Sequence, residues 1–206
     1  MGIERPIFAR LYDLYMLPQE LWGVKARRRL VVGDAVGTVL DLGVGTGLNF
    51  PHYQSSGMVV GIEPDRNMIR QACRRATEAK VPVYLVVARG EALPFRDGTF
   101  DTAVATLVFA TIPDGPAAAR ELRRVLKSRG TFRFFEHFRS ENPSLARLQD
   151  WVTPFWRRFL GGCEPNRDIM RIFAEGGFEV LETTKFRGTF LFHGTARPMS
   201  SSRMGS

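Results

Sequence analysis

No long apolar run occurs in this chain. Its uncharged apolar stretches fall far short of the roughly eighteen residues that a membrane-spanning helix needs. The first residues, Met1-Gly2-Ile3-Glu4-Arg5-Pro6, have no apolar core of the signal-peptide kind. Cysteine is scarce. Two residues, Cys73 and Cys163, form neither a zinc site by themselves nor a disulfide framework. A reducing, cytoplasmic setting is the expectation, with no metal. Lysine is scarcer than the charge suggests: Lys25, Lys80, Lys127 and Lys185 are the only four among 29 basic residues. The chain has no repeat of 20 to 50 residues and none of the compositional bias of collagen, coiled coils or disordered chains.

What is present is an ordinary core and an excess of arginine. Hydrophobic residues make up 44% of the 206 and charged residues 24%, enough for one domain that folds without staples. The net charge of +8 raises nucleic acid, an anionic membrane or an acidic substrate as partners. Nucleic acid fits poorly. The groups Arg27-Arg28-Arg29, Arg74-Arg75, Arg123-Arg124 and Arg157-Arg158 are scattered, read mostly as solvated helix faces, and lack the aromatic interleaving of a single-strand binder.

Short apolar runs alternate with amphipathic stretches from residue 38 onward. Thr38–Leu42, Met58–Ile62, Val81–Val87, Phe100–Thr106 and Thr131–Phe135 read as buried strands. Helices are predicted over Arg66–Ala79, Pro116–Leu126 and Asn166–Glu175, and Phe178–Phe186 with Thr189–Thr195 form an antiparallel hairpin around Arg187-Gly188. This alternation predicts an α/β, doubly wound, mostly parallel sheet with helices on both faces and a ligand site at the carboxyl ends of the strands. Two amphipathic segments stand outside it. Ile3, Ile7, Leu11, Leu14 and Tyr15 share one helical face, with Trp22 beyond. Leu145, Leu148, Trp151, Val152, Phe155, Trp156 and Phe159 share another, kinked or broken at Pro154. Each packs on the core or forms a lid over the site. Residues 1–34 are expected to be an N-terminal amphipathic helical lid, 35–196 the catalytic domain and 197–206 a disordered tail.

The stretch Asp41-Leu42-Gly43-Val44-Gly45-Thr46-Gly47 carries the most chemistry. Glycine lets a ligand approach the backbone and permits positive φ. The dinucleotide fingerprint needs its third glycine one position later, where Leu48 stands, so the loop is a poor pyrophosphate cradle and a nicotinamide-dependent oxidoreductase is disfavoured. Asp41 would repel a phosphate and favour an amino-bearing or cationic ligand. Glu63, twenty residues after Gly43, ends the second strand, where a carboxylate accepts from both hydroxyls of a ribose. A ligand with a ribose, no pyrophosphate and a positive group matches S-adenosylmethionine.

The same loop, with Glu63-Pro64-Asp65, Ala88-Arg89-Gly90-Glu91-Ala92-Leu93-Pro94-Phe95 and Asp97-Gly98-Thr99-Phe100-Asp101, resembles the successive motifs of class I S-adenosylmethionine-dependent methyltransferases over about residues 35 to 195. The resemblance implies a Rossmann-like seven-stranded sheet with an antiparallel last strand. It implies Gly43, Gly45 and Gly47 around the methionine part of the cofactor with Asp41 close by, Glu63 on the ribose, and Pro64, Met68, Gly90 and Glu91 near the adenine. Leu107 would line the pocket. Arg89 departs from the family's usual aspartate and is expected to point outward. Thr106-Leu107-Val108-Phe109-Ala110, Phe135-Glu136-His137 and Gly161-Gly162-Cys163-Glu164-Pro165-Asn166-Arg167 resemble the alkyl thiol methyltransferase branch, which implies a thiol or hydrogen sulfide as acceptor. Phosphatidylethanolamine N-methyltransferases and lipoquinone methyltransferases share the core motifs, so these acceptors stay open, as does a non-catalytic cofactor-binding role. His137 is the best base candidate, ahead of His52 and His193, with the alternative that it orients Glu136. Tyr12 and Tyr15 are lid candidates, and Cys163 is a pocket thiol or an inert one. Arg5, Arg10, Arg147, Arg157 and Arg158 flank the amphipathic faces and suggest peripheral contact with an anionic membrane.

Overall fold

The computed structural model describes residues 6–186 and 188–199. Apolar β-branched stretches buried on both faces form the middle of one seven-stranded sheet, ordered β3-β2-β1-β4-β5-β7-β6. The strands are β1 Gly37–Leu42, β2 Ser56–Ile62, β3 Val83–Val86, β4 Phe100–Thr106, β5 Leu126–His137, β6 Phe178–Lys185 and β7 Leu191–Pro198. Strands β1 to β5 pair in parallel, and β7 runs antiparallel to both β5 and β6. The doubly wound sheet and its reversed last strand agree with the expectation from sequence. The strand order reverses between β1 and β4, whose pairing sets Asp41 opposite Val104. That switch point is where such sheets open a crevice.

The helices follow from caps and stripes. Helix α3, Arg66–Ala76, starts where the Asp65 carboxylate accepts the Asn67 N–H. Helix α4, Gly115–Val125, starts at Asp114 and buries Ala118, Ala119, Leu122 and Val125. Helix α6, Ile169–Glu175, is shorter than the predicted 166–175, because Asp168 caps it by accepting the Arg171 N–H. Helix α5, Pro143–Phe159, runs on through Pro154, where a kink or break was expected. Two cores result. One, centred on Phe109, Phe132, Phe134 and Phe173, lies under α4 and α6; the other, with Val32, Val39, Phe50 and Phe135, lies under the N-terminal helical segment.

The N-terminal segment is more than a lid. Helix α1, Pro6–Gln19, passes into a π-helical turn, Glu20–Val24, and then into α2, Lys25–Gly33. Of these, only α1 contributes residues to the site described below. Helix α2 is core, with Val31 and Val32 buried. Its Arg28, read from sequence as one of a solvated arginine group, is 3% exposed. The expected tail also begins late: Arg197 and Pro198 belong to β7, the Met199 N–H donates to the Gly177 carbonyl, and the rest lies outside the described residues. Ile3, Arg5 and Arg187 lie outside them too.

Candidate active site

The turns after β1, β2, β4 and β5 enclose a cavity at one edge of the sheet, roofed by Phe8, Tyr12, Tyr15, Met16 and Gln19 of α1. After Leu42 the chain turns through Gly43 at φ 69° and Gly45 at φ 56°. A Cβ at Gly43 would lie 2.1 Å from Val108 Cγ2, so the turn exists only without a side chain there. Both glycines line the cavity. Gly47 and Asp41 do not. Gly47 packs inward, where a Cβ would meet the Phe50 ring at 2.6 Å. Asp41 lies beneath the floor, fully buried, with both carboxylate oxygens accepting from Asn49 Nδ2 at 3.0 and 2.9 Å. Burial lifts its pKa to about 6, with Asn49, Tyr53 and Arg28 pulling the other way.

Glu63 ends β2 and faces the cavity. Its Oε2 accepts the Gly45 N–H at 3.1 Å and its Oε1 the Asp65 N–H at 3.0 Å, which leaves lone pairs free on both oxygens. Burial pushes its pKa up to about 6 against these two donors. Pro64, Met68, Gly90 and Glu91 continue the same wall. Arg89, expected to point outward, is half exposed but also lines the cavity, with its guanidinium 3.6 Å from the Glu91 carboxylate.

The opposite wall comes from the ends of β4 and β5 and the turn after α5. Thr106, Leu107, Val108, His137, Leu160, Gly161 and Cys163 line it. Leu107 stands at φ 55°, the one non-glycine residue with positive φ among those described, and its N–H donates to the Phe135 carbonyl at 2.7 Å. Glu136 holds the two residues after Leu107: its Oε1 accepts the N–H groups of Val108 and Phe109 at 2.8 and 2.9 Å. Burial pushes the Glu136 carboxyl up to about 7, and its second oxygen is buried with no hydrogen-bond partner. His137 reaches the cavity. Burial lowers its pKa to about 4, so the imidazole is neutral at physiological pH, with Nδ1 unpartnered. The Cys163 thiol is raised to about 12 by burial and is no nucleophile. His52 and His193 line no part of this cavity. Among the described residues no group of His, Cys, Asp and Glu could hold a metal ion.

Residues 40–134 match the model of a methyltransferase domain. A phosphatidylethanolamine N-methyltransferase of Cereibacter sphaeroides is 30% identical over 158 residues, 76% of this chain and 77% of that protein. The chain belongs to the S-adenosylmethionine-dependent methyltransferases. Thiol S-methyltransferase TMT1B of Rattus norvegicus is also 30% identical, over 149 residues, and this chain spans 61% of its length. A solved complex of the Haloferax volcanii Trm112 methyltransferase activator with a methyltransferase shares the fold, at a TM-score of 0.72 and 16% identity over 95% of this chain and 99% of that one.

S-adenosylmethionine is accordingly the cofactor of this methyltransferase. The cavity has the donor set to suit it. Glu63 offers paired acceptors, the Gly43–Gly45 turn leaves backbone uncovered, and the wall beside Met68 and Gly90 is apolar. The methyltransferase also has site residues that motif reading passed over. Arg28 and Asn49 lie beneath the cavity and bond to Thr106 of its wall, and Phe8, Met16 and Ile112 add to the walls. One signal for Arg28 exists: Val24, Arg28, Val31 and Val32 share a helical face, which places an arginine on an apolar stripe.

Proposed function

We propose that the acceptor of this methyltransferase is a small lipophilic thiol, hydrogen sulfide included. The supporting observation is the wall opposite Glu63, where Leu107, Val108, Leu160 and Cys163 surround the neutral imidazole of His137. Gly43 and Gly45 hold the methionine part of the cofactor, Glu63 its ribose, and Pro64, Met68, Gly90 and Glu91 the adenine, with Leu107 against the reacting end. Asp41 acts from below the floor through Asn49. Bound there, S-adenosylmethionine supplies an activated methyl group together with its leaving group, so the chain chiefly has to position and desolvate the acceptor. Tyr12 and Tyr15 roof the cavity and exclude water.

The weak basicity of His137 selects among acceptors. A base with a pKa of about 4 removes a proton well only from an acceptor that is already acidic. Thiols and hydrogen sulfide bring much of that acidity themselves. The ammonium of phosphatidylethanolamine would need a carboxylate to hold it, and the carboxylates on the cavity wall, Glu63, Asp65 and Glu91, stand on the cofactor side.

The same reading extends to delivery. Trp22 is 94% and Trp151 79% exposed, and Ile7, Leu11, Leu14, Leu21, Leu148, Phe155 and Phe159 are exposed with them. With Arg10, Arg147, Arg157 and Arg158 these faces suit the surface of an anionic membrane, from which a lipophilic acceptor would enter. No helix of the described residues is long and apolar enough to cross one.

The test is transfer of labelled methyl groups to a panel of alkyl and aryl thiols, hydrogen sulfide, phosphatidylethanolamine vesicles and quinols. Labelled thioether, or labelled methanethiol from hydrogen sulfide, with no other labelled product supports the proposal; labelled phospholipid or quinol with unlabelled thiols and sulfide overturns it. By calorimetry, Glu63→Ala should weaken S-adenosylhomocysteine binding by at least roughly 10- to 100-fold, about the worth of one hydrogen bond to a charged group. Unchanged affinity would remove Glu63 from the ribose, and NADH should not bind. Salt-sensitive sedimentation with anionic vesicles, lost on truncation through residue 24, checks the membrane contact.

A further inference from the structure

The floor of the cavity is tied to its roof by one buried arginine. Arg28 Nη1 donates to Asn49 Oδ1 at 2.8 Å and to Thr106 Oγ1 at 3.0 Å. Its Nη2 donates to Glu20 Oε1 at 2.8 Å. The Arg28 and Glu20 side chains are 4% and 13% exposed, so solvent screens this pair little. The acceptors of Arg28 belong to three different parts of the site. Glu20 opens the π-helical turn and directly follows Gln19 of the roof; Thr106 stands in the cavity wall; Asn49 passes the contact on to both oxygens of Asp41.

We propose that Arg28 is a positioning residue for methyl transfer, one that makes closure of the N-terminal helix and the shape of the cofactor floor a single event. The proposal rests on the reading of this cavity as the S-adenosylmethionine site. Its physical basis is the cost of a stranded charge. If the roof lifted and took Glu20 with it, Arg28 would lose the one carboxylate that bonds it directly and keep the neutral oxygens of Asn49 and Thr106, with the Asp41 carboxylate one side chain further off, and a buried cation stripped of its direct partner is strongly destabilised. Glu20 therefore holds the roof down for as long as Arg28 is fixed from below, and Arg28 is fixed by the same Thr106 that shapes the wall. A kink between the two helices lies beside this contact. Gly23 stands at φ 110° in the turn, with open space where a Cβ would be. The front of the roof is held differently, by the more exposed pair Asp13–Arg75 at 2.7 Å and by the Thr46 hydroxyl donating to Asp13 at 2.6 Å. The rear attachment at Arg28 is the one that reaches the floor.

Linkage makes the coupling reciprocal. If ordering the floor favours a closed roof, a cofactor that orders the floor closes the roof, and roof variants weaken the cofactor by the same factor. The acceptor side, which borrows Phe8, Tyr12 and Tyr15 from α1, is then complete only after the cofactor has bound.

A double-mutant cycle tests this. Glu20→Gln and Thr106→Val alter two residues with no hydrogen bond to each other that share Arg28. Each variant and the pair are titrated with S-adenosylhomocysteine, in the native background and in Arg28→Met. The expected result is a non-additive effect of about fivefold to tenfold on Kd when Arg28 is present, falling below twofold in Arg28→Met. Additive effects in the native background, or coupling that survives Arg28→Met, would overturn the proposal. Hydrogen exchange over residues 6–24 supplies a second readout that does not need the Arg28→Met variant. S-adenosylhomocysteine should slow exchange there in the native protein and lose that effect in Glu20→Gln. Equal slowing in both would also overturn it. Failure of the native protein to bind S-adenosylhomocysteine would sink the cofactor reading instead, which separates the two ideas.

Discussion

Replacing Glu136 by glutamine should make the stability of this methyltransferase diverge from the native protein's along the pH axis. Glu136 is fully buried, and burial raises its carboxyl from 4.5 to about 7 even though Val108 and Phe109 donate to Oε1. Between these two values the folded chain binds a proton that the unfolded chain has released, so stability falls as pH rises through the window. A displacement of about 2.5 units corresponds to about 3 kcal/mol, absent below pH 4.5 and fully expressed above pH 7. Glutamine keeps a carbonyl oxygen for both backbone donors and carries no charge. The groups with parallel or opposing trends, Asp41, Glu63 and His137, are common to both proteins and cancel in the difference. Urea unfolding at half-unit steps from pH 4.5 to 8 reads this out as the change in midpoint at constant m. The variant should gain on the native protein by about 3 kcal/mol across that range. A difference flat to within about 0.5 kcal/mol would mean that Glu136 ionises like an ordinary carboxyl, and the account of its buried, partnerless oxygen would fail.

Gly43→Ala should destabilise by several kcal/mol and abolish S-adenosylhomocysteine binding in calorimetry, because the new methyl group meets Val108 at 2.1 Å and the residue must hold φ 69°. For His137, the pH profile of kcat/KM should show no inflection near 6.5 that belongs to this residue, since its imidazole is neutral down to about pH 4. The rise should instead follow the pKa of whichever thiol is used, with a similar profile in His137→Gln at lower rate. An inflection near 6.5 that disappears in His137→Gln would restore a conventional general base.

The sheet was legible because its signals are local and dense. Strands β1, β2 and β4 announce themselves as short buried runs, whereas the edge strand β3, read as buried over Val81–Val87, is only Val83–Val86 and has no buried residue; the glycine turn, Glu63 and the Asp97-Gly98 turn fall at intervals set by backbone geometry. The reading failed where burial depends on partners far along the chain. Arg28 looks solvated beside Arg27 and Arg29 until Glu20, Asn49 and Thr106 converge on it. Asp41 appears to face a ligand, yet its side chain leaves the strand on the side of Asn49. Glu136 stands one residue before His137 with no sequence signal of its own. Its task, holding the amides after Leu107, explains why a carboxylate tolerates that depth. Strand β7 outran its predicted end because Pro198 sits at the strand terminus, where a missing N–H costs little.

The left-handed leucine at the end of β4 has a meaning for how this protein could change. A side chain in that conformation costs about 1 kcal/mol or more, which glycine would avoid. Leu107 lines the cavity in company with Gly43, Gly45 and His137, and the proposed acceptor would meet its apolar side chain there. Stability and acceptor choice thus pull one residue in opposite directions. Selection for a sturdier protein would drift toward glycine at 107 and admit wider acceptors, while selection for a narrow acceptor would keep the strained leucine. Position 107 is the first to vary in any attempt to redirect the enzyme.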